Sequence, residues 1–211
     1  LLISWVAYGQ DPYTNVYSRH AWKERDTWQR AGDLIGFLKL DNGSRVADIG
    51  CHEGYITFKL SKVVGENGMV YAVDVDESKL DKVRASAQSA GVSNVTVIKG
   101  AYDNPKLLQN SLDAAIILDT YHEMDDHDAI LGHIMKALKP QGRLVICEPI
   151  ADSRRKLSRA EQERRHELGL EYAIEDLKKA GFEIECQQDP FVDRSKQKGD
   201  KMWVVVAVKR R

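Results

Sequence analysis

The part of the sequence that most constrains the fold is residues 46–60, Val-Ala-Asp-Ile-Gly-Cys-His-Glu-Gly-Tyr-Ile-Thr-Phe-Lys-Leu. A short apolar strand, Val46 to Ile49, leads into a loop that holds Gly50 and Gly54, and a helical pattern follows at once. Glycines at such a bend tolerate positive φ and let a ligand approach bare backbone. Because ligands of open α/β sheets bind at the carboxyl ends of strands, we expect a ligand site at this loop.

Strand and helix patterns alternate along the rest of the chain. Apolar segments are predicted as strands at 45–49, 69–75, 95–98, 113–118, 143–147, 182–188 and 202–208. Helical spacing fills the gaps, as in the helix that Asp76 or Ser78 would cap and Gly91 would end. Pro140-Gln141-Gly142 is predicted as a turn, and residues 189–201 as an exposed hairpin loop. We therefore predict an α/β fold with a doubly wound, mostly parallel seven-stranded sheet, helices on both faces and an antiparallel terminal β-hairpin.

Composition limits the partners of this chain. Its 211 residues are 43% hydrophobic and 30% charged, which suits one globular domain with a real core. The 31 Lys and Arg residues balance 32 Asp and Glu residues, so no global basic field points to nucleic acid. Beyond the first residues no segment approaches the ~20 apolar residues of a membrane span. We therefore expect a small-molecule partner, without nucleic acid and without a membrane span.

The chain is predicted to divide into an N-terminal arm, residues 1–25, and a single domain, residues 26–211. Residues 1–9 are apolar and end in Ala7-Tyr8-Gly9. Small residues near such an end are typical of a secretory signal-peptide remnant, and an apolar arm explains them equally well. The expected location is therefore either cytoplasmic or exported.

A carboxylate at the end of the second strand sharpens the choice of ligand. Asp74 lies 20 residues after Gly54, where a carboxylate can accept hydrogen bonds from two ribose hydroxyls. A dinucleotide would be held in the same way, but its fingerprint is Gly-x-Gly-x-x-Gly. Here the spacing is Gly50-x-x-x-Gly54, and Glu53 would repel a phosphate near the helix start. The pattern therefore favours a cofactor without phosphate.

Asp48, Gly50 and Gly54 resemble the first motif of the class I S-adenosylmethionine (SAM)-dependent methyltransferases, usually written Asp-x-Gly-x-Gly-x-Gly. His52 stands where the middle glycine is expected, and Asp74 is similar to the acidic residue of the second motif. Three later segments also follow the family's order. Residues 100–103 resemble the segment that contacts adenine, residues 111–116 resemble the approach to the fourth strand, and residues 138–144 resemble the turn before the fifth strand. The resemblance covers about residues 26–208.

The resemblance implies SAM as the cofactor. It implies that the cofactor-binding residues are Asp48, Gly50, Gly54, Asp74, Asp103 and Asp119. Asp74 would hold the ribose, Asp103 would lie near the adenine, and Asp48 would position the glycine loop.

The end of the fourth strand supplies the expected reaction centre. His122 could act as a general base there, with Asp119 or Glu123 fixing its tautomer. We predict His122, Glu123 and His52 as catalytic residues and no bound metal. Two alternatives stay open: His52, His122, His166 and nearby carboxylates could gather a divalent ion, or His122 and Glu123 could be capping and loop residues.

The function that these observations favour is SAM-dependent, in-line methyl transfer to a small-molecule acceptor. In such a reaction the protein mainly aligns the two reactants and removes a proton where the nucleophile carries one. The alternative is a catalytically degenerate methyltransferase fold that binds a ligand or a metal. That alternative is motivated by His52, whose side chain could crowd the cofactor.

Overall fold

The structure is a computed structural model that describes Tyr13 and residues 20–211. The predicted leader at residues 1–9 and most of the predicted arm therefore lie outside the described residues. The strands of the described part are β1 (Arg45–Ile49), β2 (Met69–Asp74), β3 (Val95–Lys99), β4 (Leu112–Leu118), β5 (Leu138–Ile150), β6 (Glu183–Arg194) and β7 (Asp200–Val208). Its α-helices are α1 (His20–Asp26), α2 (Ala31–Leu38), α3 (Tyr55–Val64), α4 (Glu77–Ala90), α5 (His127–Ala137), α6 (Arg159–Glu163), α7 (Leu170–Lys179) and α8 (Ser195–Lys198).

The described strands form one sheet in the order β3-β2-β1-β4-β5-β7-β6. Strand β1 pairs in parallel with β2 on one side and with β4 on the other, and the pairs β2–β3 and β4–β5 are parallel too. Strand β7 runs antiparallel to both β5 and β6. The predicted doubly wound sheet with an antiparallel terminal hairpin is therefore confirmed. The order reverses between β1 and β4, and this switch point is where such sheets bind ligands.

Both faces of the sheet are covered, which explains why its central strands are apolar at nearly every position. Neighbouring residues of β1 show the alternation: Val46 packs into one hydrophobic cluster and Ala47 into the other. The Val46 cluster also contains residues of α2, α3 and α4, and the Ala47 cluster contains residues of α5 and α7. The core is therefore two layers of side chains, one on each side of the sheet.

Two predicted boundaries of the last strands differ from the structure. Strand β5 begins at Leu138, and the predicted turn 140–142 is a bulge within it, because the pairing to β4 jumps from Leu138 to Arg143. The predicted loop 189–201 is wrong, since β6 continues to Arg194. Phe191 lies within this extension, is 3% exposed, and its ring centroid lies 6.0 Å from that of Phe37 in α2.

The first described helix is built into the core. Helix α1 spans the predicted division at residue 25, and its Trp22 is 7% exposed, with its ring edge-on to Tyr55 at 6.0 Å.

The predicted ends of α4 are confirmed: Asp76 accepts a hydrogen bond from the backbone of Ser78, and Gly91 ends the helix at positive φ. Within residues 20–211, no helix combines the length and the apolar character needed to cross a bilayer.

Candidate functional site

A cavity of about 620 Å³ opens where β1, β2 and β4 end. Six of the residues predicted from the sequence line it: Asp48, Gly50, His52, Asp74, Asp119 and Glu123. Three others are not among its lining residues: Gly54, Asp103 and His122. Gly100, Ala101 and Tyr102 line the wall beside the exposed Asp103, so the segment predicted to contact adenine reaches the cavity through these three residues.

The two loop glycines are required for different reasons. Gly50 has φ +76°, and a Cβ there would lie 2.2 Å from Cγ2 of Thr120. Its backbone N–H donates to the carbonyl of Val73 at 2.8 Å, which ties the end of β1 to β2. Gly54 has φ +92°, and a Cβ there would lie 2.8 Å from the ring of Phe58. Gly50 therefore shapes the cavity, whereas Gly54 lets α3 start against a packed ring.

His52 takes the place of a glycine by adopting a glycine-like backbone, with φ +48°. Its N–H donates to Oδ2 of Asp74 at 2.8 Å, and the N–H of Asp76 donates to Oδ1 at 2.9 Å. The Asp74 carboxylate is thereby fixed at the cavity wall, and each oxygen keeps a lone pair for a further donor. Partial burial and the charge of Lys79 lower the pKa of the His52 imidazole, which favours its neutral form.

Glu53 does not exclude a phosphate from the cavity in the way its sequence position suggests. Its carboxylate lies 2.6 Å from Nζ of Lys82 and 3.7 Å from Nζ of Lys79. The hydrogen bond from Lys82 lowers the pKa of Glu53, so the group is an ion-paired anion. Two lysines offset the repulsion that a phosphate would otherwise meet here. The choice between cofactors therefore depends on the rest of the cavity and not on Glu53.

Asp48 lies at the base of the cavity, with 1% of its surface exposed. The hydroxyl of Thr57 donates to its Oδ2 at 2.5 Å, which joins β1 to α3. Burial raises the pKa of Asp48 to about 7, because water no longer solvates the charged form. At neutral pH this carboxyl is thus partly protonated, and it supports the loop that follows it.

Asp119, at the end of β4, connects the cavity to the C-terminal hairpin. Its Oδ2 lies 3.1 Å from Nη1 of Arg194, whose Nε is 2.5 Å from Oδ1 of Asp200. Burial disfavours the charged carboxylate, but the charge and hydrogen bond of Arg194 outweigh it and lower the pKa of Asp119. Sequence reasoning missed Arg194, because it placed this residue in an exposed loop.

His122 follows β4 in a single turn of 3₁₀ helix and is 7% exposed. Its Nδ1 lies 2.5 Å from Oε2 of Glu148, a fully buried residue of β5. The other oxygen of Glu148 accepts the backbone N–H groups of Thr120 at 2.6 Å and Tyr121 at 2.9 Å. Burial opposes the charged imidazole, but the hydrogen bond and charge of Glu148 prevail, with help from nearby carboxylates, and raise the pKa of His122.

A second cavity, of about 440 Å³, lies beside His122. Asp119 and Lys198 line both cavities, so the two adjoin. The lining residues of the second cavity are all ionisable: Asp119, His122, Arg154, Arg165, His166, Glu167, Arg194, Lys198 and Asp200. This composition suits a polar ligand that can take part in proton transfer.

Of the three histidines considered from the sequence, two converge. Nε2 of His122 lies 3.7 Å from Oε1 of Glu123, and Nδ1 of His166 lies 3.3 Å from the same atom. One donor atom from each of these residues falls within 4.8 Å of the others, a spacing that a divalent ion could bridge. His52 lies outside this group. The absence of metal therefore stays a prediction.

Arg25 of α1 is a cavity residue that the sequence gave no signal for, since it falls in the predicted arm. Its Nη2 atom is buried and has no hydrogen-bond partner among the described residues. A buried donor without a partner is costly.

Comparison with known proteins agrees with this geometry. A family model described as a methyltransferase domain matches residues 40–181. A ubiquinone/menaquinone biosynthesis C-methyltransferase from Haemophilus ducreyi is 30% identical over 130 residues, which are 59% of this chain and 49% of that protein. A demethylmenaquinone methyltransferase from Lactococcus lactis is 29% identical over 141 residues, 64% of this chain and 53% of that protein. The chain thus spans about half the length of these curated relatives.

Solved structures extend the comparison to nearly the whole chain. A crystal structure of a SAM-dependent methyltransferase from Aquifex aeolicus has a TM-score of 0.73, is 24% identical and covers 95% of this chain and 99% of its own. At that identity the likeness concerns the fold.

Proposed function

The chain belongs to the class I SAM-dependent methyltransferase family, as the methyltransferase-domain match over residues 40–181 shows, and from this membership we propose that it transfers a methyl group from SAM to a small-molecule acceptor. The observation that carries the proposal is the Asp74 carboxylate, fixed by two backbone N–H groups at the wall of the larger cavity. Each carboxylate oxygen can accept one hydroxyl of a ribose diol. A nucleoside cofactor fits this arrangement.

Other predicted residues take complementary roles around the cofactor. In this proposal Gly50 leaves the β1 loop open to the ligand, Asp119 lines the cavity at the end of β4, and Asp103 follows the lining residues 100–102, against which the adenine would lie. Asp48 and Gly54 act as supports, since one joins β1 to α3 and the other starts α3. When bound, SAM supplies a methyl group on a positively charged sulfur.

We assign the acceptor to the second cavity. His122 lines it, and the hydrogen bond from Nδ1 to Glu148 leaves Nε2 available to receive a proton from a hydroxyl, thiol or amine. Glu123, whose Oε1 lies 3.7 Å from Nε2 of His122, and His52 line the larger cavity, so in this proposal they act on the reaction from the cofactor side. The Haemophilus relative is named for ubiquinone and menaquinone biosynthesis, but the ionisable lining of the second cavity favours a more polar acceptor here.

The degenerate, non-catalytic alternative is not favoured. It was motivated by His52, and the backbone of His52 bends as a glycine would and donates its N–H to Asp74. The family match gives no support to a purely ligand-binding role.

Calorimetry with SAM and S-adenosylhomocysteine tests the cofactor. Asp74→Ala should weaken binding of both compounds by about 10- to 100-fold, because a charged hydrogen-bonding group is lost. Asp81→Ala is the matched control, since Asp81 is exposed on α4 and pairs with Arg84 at 2.6 Å. Failure of the unmodified protein to bind either compound at millimolar concentration would contradict the proposal.

Turnover is tested separately from binding. S-adenosylhomocysteine should form when the protein is incubated with SAM and fractions of a metabolite extract. His122→Gln should bind SAM normally and form product at least tenfold more slowly, since a positioned base contributes about 10²–10⁴-fold. Equal rates for His122→Gln and the unmodified protein would remove His122 from the reaction.

A further inference from the structure

The charges that line the second cavity do not cancel. Apart from its two histidines, the lining holds four cationic side chains and three carboxylates. The carboxylates are already paired with two of the arginines. Oε1 of Glu167 lies 2.6 Å from Nη1 of Arg154. Asp119 and Asp200 both contact Arg194, at 3.1 and 2.5 Å. Two cations of the lining remain outside these pairs.

Arg165 and Lys198 are the two remaining cations, and both are exposed. Nζ of Lys198 lies 5.9 Å from the centre of the Trp28 ring, and its charge acts on Asp119. Lys198 therefore helps to balance the second carboxylate that contacts Arg194. The side chain of Arg165 forms no hydrogen bond or ion pair with the described residues. Arg165 is thus the cation of this cavity that has no carboxylate partner in the described lining.

The backbone that carries Arg165 is anchored in the core. This residue lies on the turn between α6 and α7, and its N–H donates to the carbonyl of Gln162 at 2.9 Å. Gln162 is fully buried, and its Nε2 donates to the carbonyls of Arg154 at 3.2 Å and Leu157 at 3.1 Å. Its Oε1 accepts the N–H of Gly169 at 2.7 Å. Buried contacts therefore fix the backbone of Arg165 at the cavity, although its side chain is exposed.

An acceptor with an anionic group matches this arrangement. The guanidinium of an arginine presents parallel N–H groups that suit a carboxylate or a phosphate. His122 lines the same cavity, so both side chains face the same space. Building on the proposed function, we propose that the methyl acceptor is an anion, whose carboxylate or phosphate group binds Arg165 while its nucleophile faces His122.

The anion would also assist the reaction. The nucleophile forms a bond to the methyl carbon while the bond from that carbon to sulfur breaks, and the proton of the nucleophile passes to Nε2 of His122. The imidazole thereby becomes positively charged in a cavity that already holds Arg165. A negative group in the same cavity offsets the new charge, whereas a neutral acceptor would not. The anionic group itself is unchanged in the product.

Fractionation of a metabolite extract tests the class of acceptor. The extract is passed at neutral pH over an anion-exchange resin, and the retained and unretained fractions are each incubated with the protein and SAM. S-adenosylhomocysteine should form with the retained fraction and not with the unretained one. Treatment of the retained fraction with a phosphatase then distinguishes the two anions, because it removes the charged group of a phosphate monoester and spares a carboxylate.

Variants of Arg165 test the residue itself. Rates are measured over dilutions of the active fraction for the unmodified protein, Arg165→Gln, Arg165→Lys and Arg164→Gln. Arg164 supplies the matched control, because it is exposed on the same turn and is not among the described residues that line the cavity. Arg165→Gln should raise the KM for the acceptor about tenfold with little change in kcat, since the contact is remote from the nucleophile. Arg165→Lys should retain part of the effect, and Arg164→Gln should match the unmodified protein.

Inorganic phosphate gives a readout that does not depend on turnover. It is titrated at low, constant ionic strength into the protein saturated with S-adenosylhomocysteine, and the backbone amide signals are followed by nuclear magnetic resonance. Arg165→Gln should weaken phosphate binding about three- to tenfold, as expected for a charged contact at an exposed site, and Arg164→Gln should not. The affinity should be the same without S-adenosylhomocysteine, because Arg165 is not among the described residues that line the larger cavity.

Three results would overturn the proposal while leaving methyl transfer intact. One is formation of S-adenosylhomocysteine with the unretained fraction only. Another is an equal effect of Arg165→Gln and Arg164→Gln, which would indicate a diffuse positive field instead of a contact. The third is displacement of phosphate by S-adenosylhomocysteine, which would place the anion site at the cofactor.

Two further results concern the proposed function itself. If the protein binds neither SAM nor S-adenosylhomocysteine, methyl transfer is contradicted and the anionic acceptor falls with it. If it binds SAM but neither fraction supports turnover, the phosphate titration decides, and phosphate binding that does not depend on Arg165 overturns the proposal.

Discussion

Nδ1 of His122 lies 2.5 Å from Oε2 of Glu148, and both side chains are buried. A carboxylate in this position fixes the imidazole tautomer and stabilises the positive charge that appears when Nε2 takes a proton. The second oxygen of Glu148 holds the backbone turn that carries His122. One side chain of β5 therefore sets both the position and the basicity of the proposed base.

The pH dependence of turnover should reveal how Glu148 shifts the pKa of His122. Glu148 raises the pKa of His122, so the acidic limb of kcat/KM should lie above the ordinary histidine value of about 6.5. Below that limb His122 is protonated and cannot accept a proton. Glu148→Gln removes the charge that favours the imidazolium, so the limb should move to lower pH while the rate at its plateau falls. Glu66→Gln changes an exposed glutamate that is distant from His122 in the sequence, and it should leave the pH of the acidic limb unchanged. An identical limb in Glu148→Gln would show that another group titrates.

Asp48 should make folding stability depend on pH in the direction opposite to most carboxyls. Its pKa of about 7 in the folded state exceeds the ordinary 3.8, so the folded state binds the proton more tightly than the unfolded chain. Stability from this group falls as pH rises from about 4 to about 7. Asp48→Asn can keep the Thr57 hydrogen bond and cannot ionise. Urea unfolding should show it similar to the unmodified protein at pH 4 and more stable by about 2–4 kcal/mol at pH 8.

Two comparisons make the Asp48 result specific. Asp41→Asn, at an exposed turn, should follow the unmodified protein at both pH values. An advantage of Asp48→Asn that is the same at pH 4 and pH 8 would contradict a raised pKa and point to packing instead.

Gly50→Ala should damage the protein at the cavity. The new Cβ would meet Thr120 at 2.2 Å, and the residue would have to hold φ +76°. We expect a loss of about 2–4 kcal/mol of unfolding free energy, from strain and overpacking together. Gly36→Ala is the control, because a Cβ there meets nothing within 4 Å and α2 should gain about 0.5–1 kcal/mol. Chemical denaturation measures both, and a neutral Gly50→Ala would show that the loop can relax.

Removing divalent metal should leave turnover unchanged. Although His122, Glu123 and His166 could surround an ion, the lining of the adjoining cavity has a small excess of positive charge that disfavours a cation, with Arg154, Arg165, Arg194 and Lys198 against Asp119, Glu167 and Asp200. Dialysis against EDTA, followed by elemental analysis and rate measurement, checks this. Loss of activity that Zn²⁺ or Mn²⁺ restores would instead assign His122 Nε2 to a metal.

Local patterns were enough to predict the parallel part of the fold. Runs such as 69–75 can be buried only between two layers of helices, and Asp76 and Gly91 mark the ends of α4 by their own chemistry. The extension of β6 escaped prediction, because it is accompanied by contacts between distant parts of the chain, such as that of Phe191 with Phe37. Hydrophobic pattern alone does not report which distant surfaces will meet.

The same distinction applies to the candidate site. Asp74 and His122 follow strands, and the sheet edge brings such residues together whatever the loops do. The partner of His122 is a different matter: Glu148 belongs to another strand, and its 2.5 Å contact with His122 comes from the pairing of β4 with β5. Arg25 and Arg194 lie in a predicted arm and a predicted loop, where nothing in the sequence signals an inward side chain.

The larger cavity is lined by residues from both ends of the described chain, since Arg25 of α1 and Lys198 of α8 both line it beside Asp119 of the central sheet edge. A cofactor bound in that cavity would contact both α1 and the β6–β7 connection and so stabilise their packing against the central strands. Limited proteolysis should therefore slow at α1 and at the β6–β7 connection together when cofactor is added. The bound molecule would thus stabilise the folded domain as well as supply the methyl group.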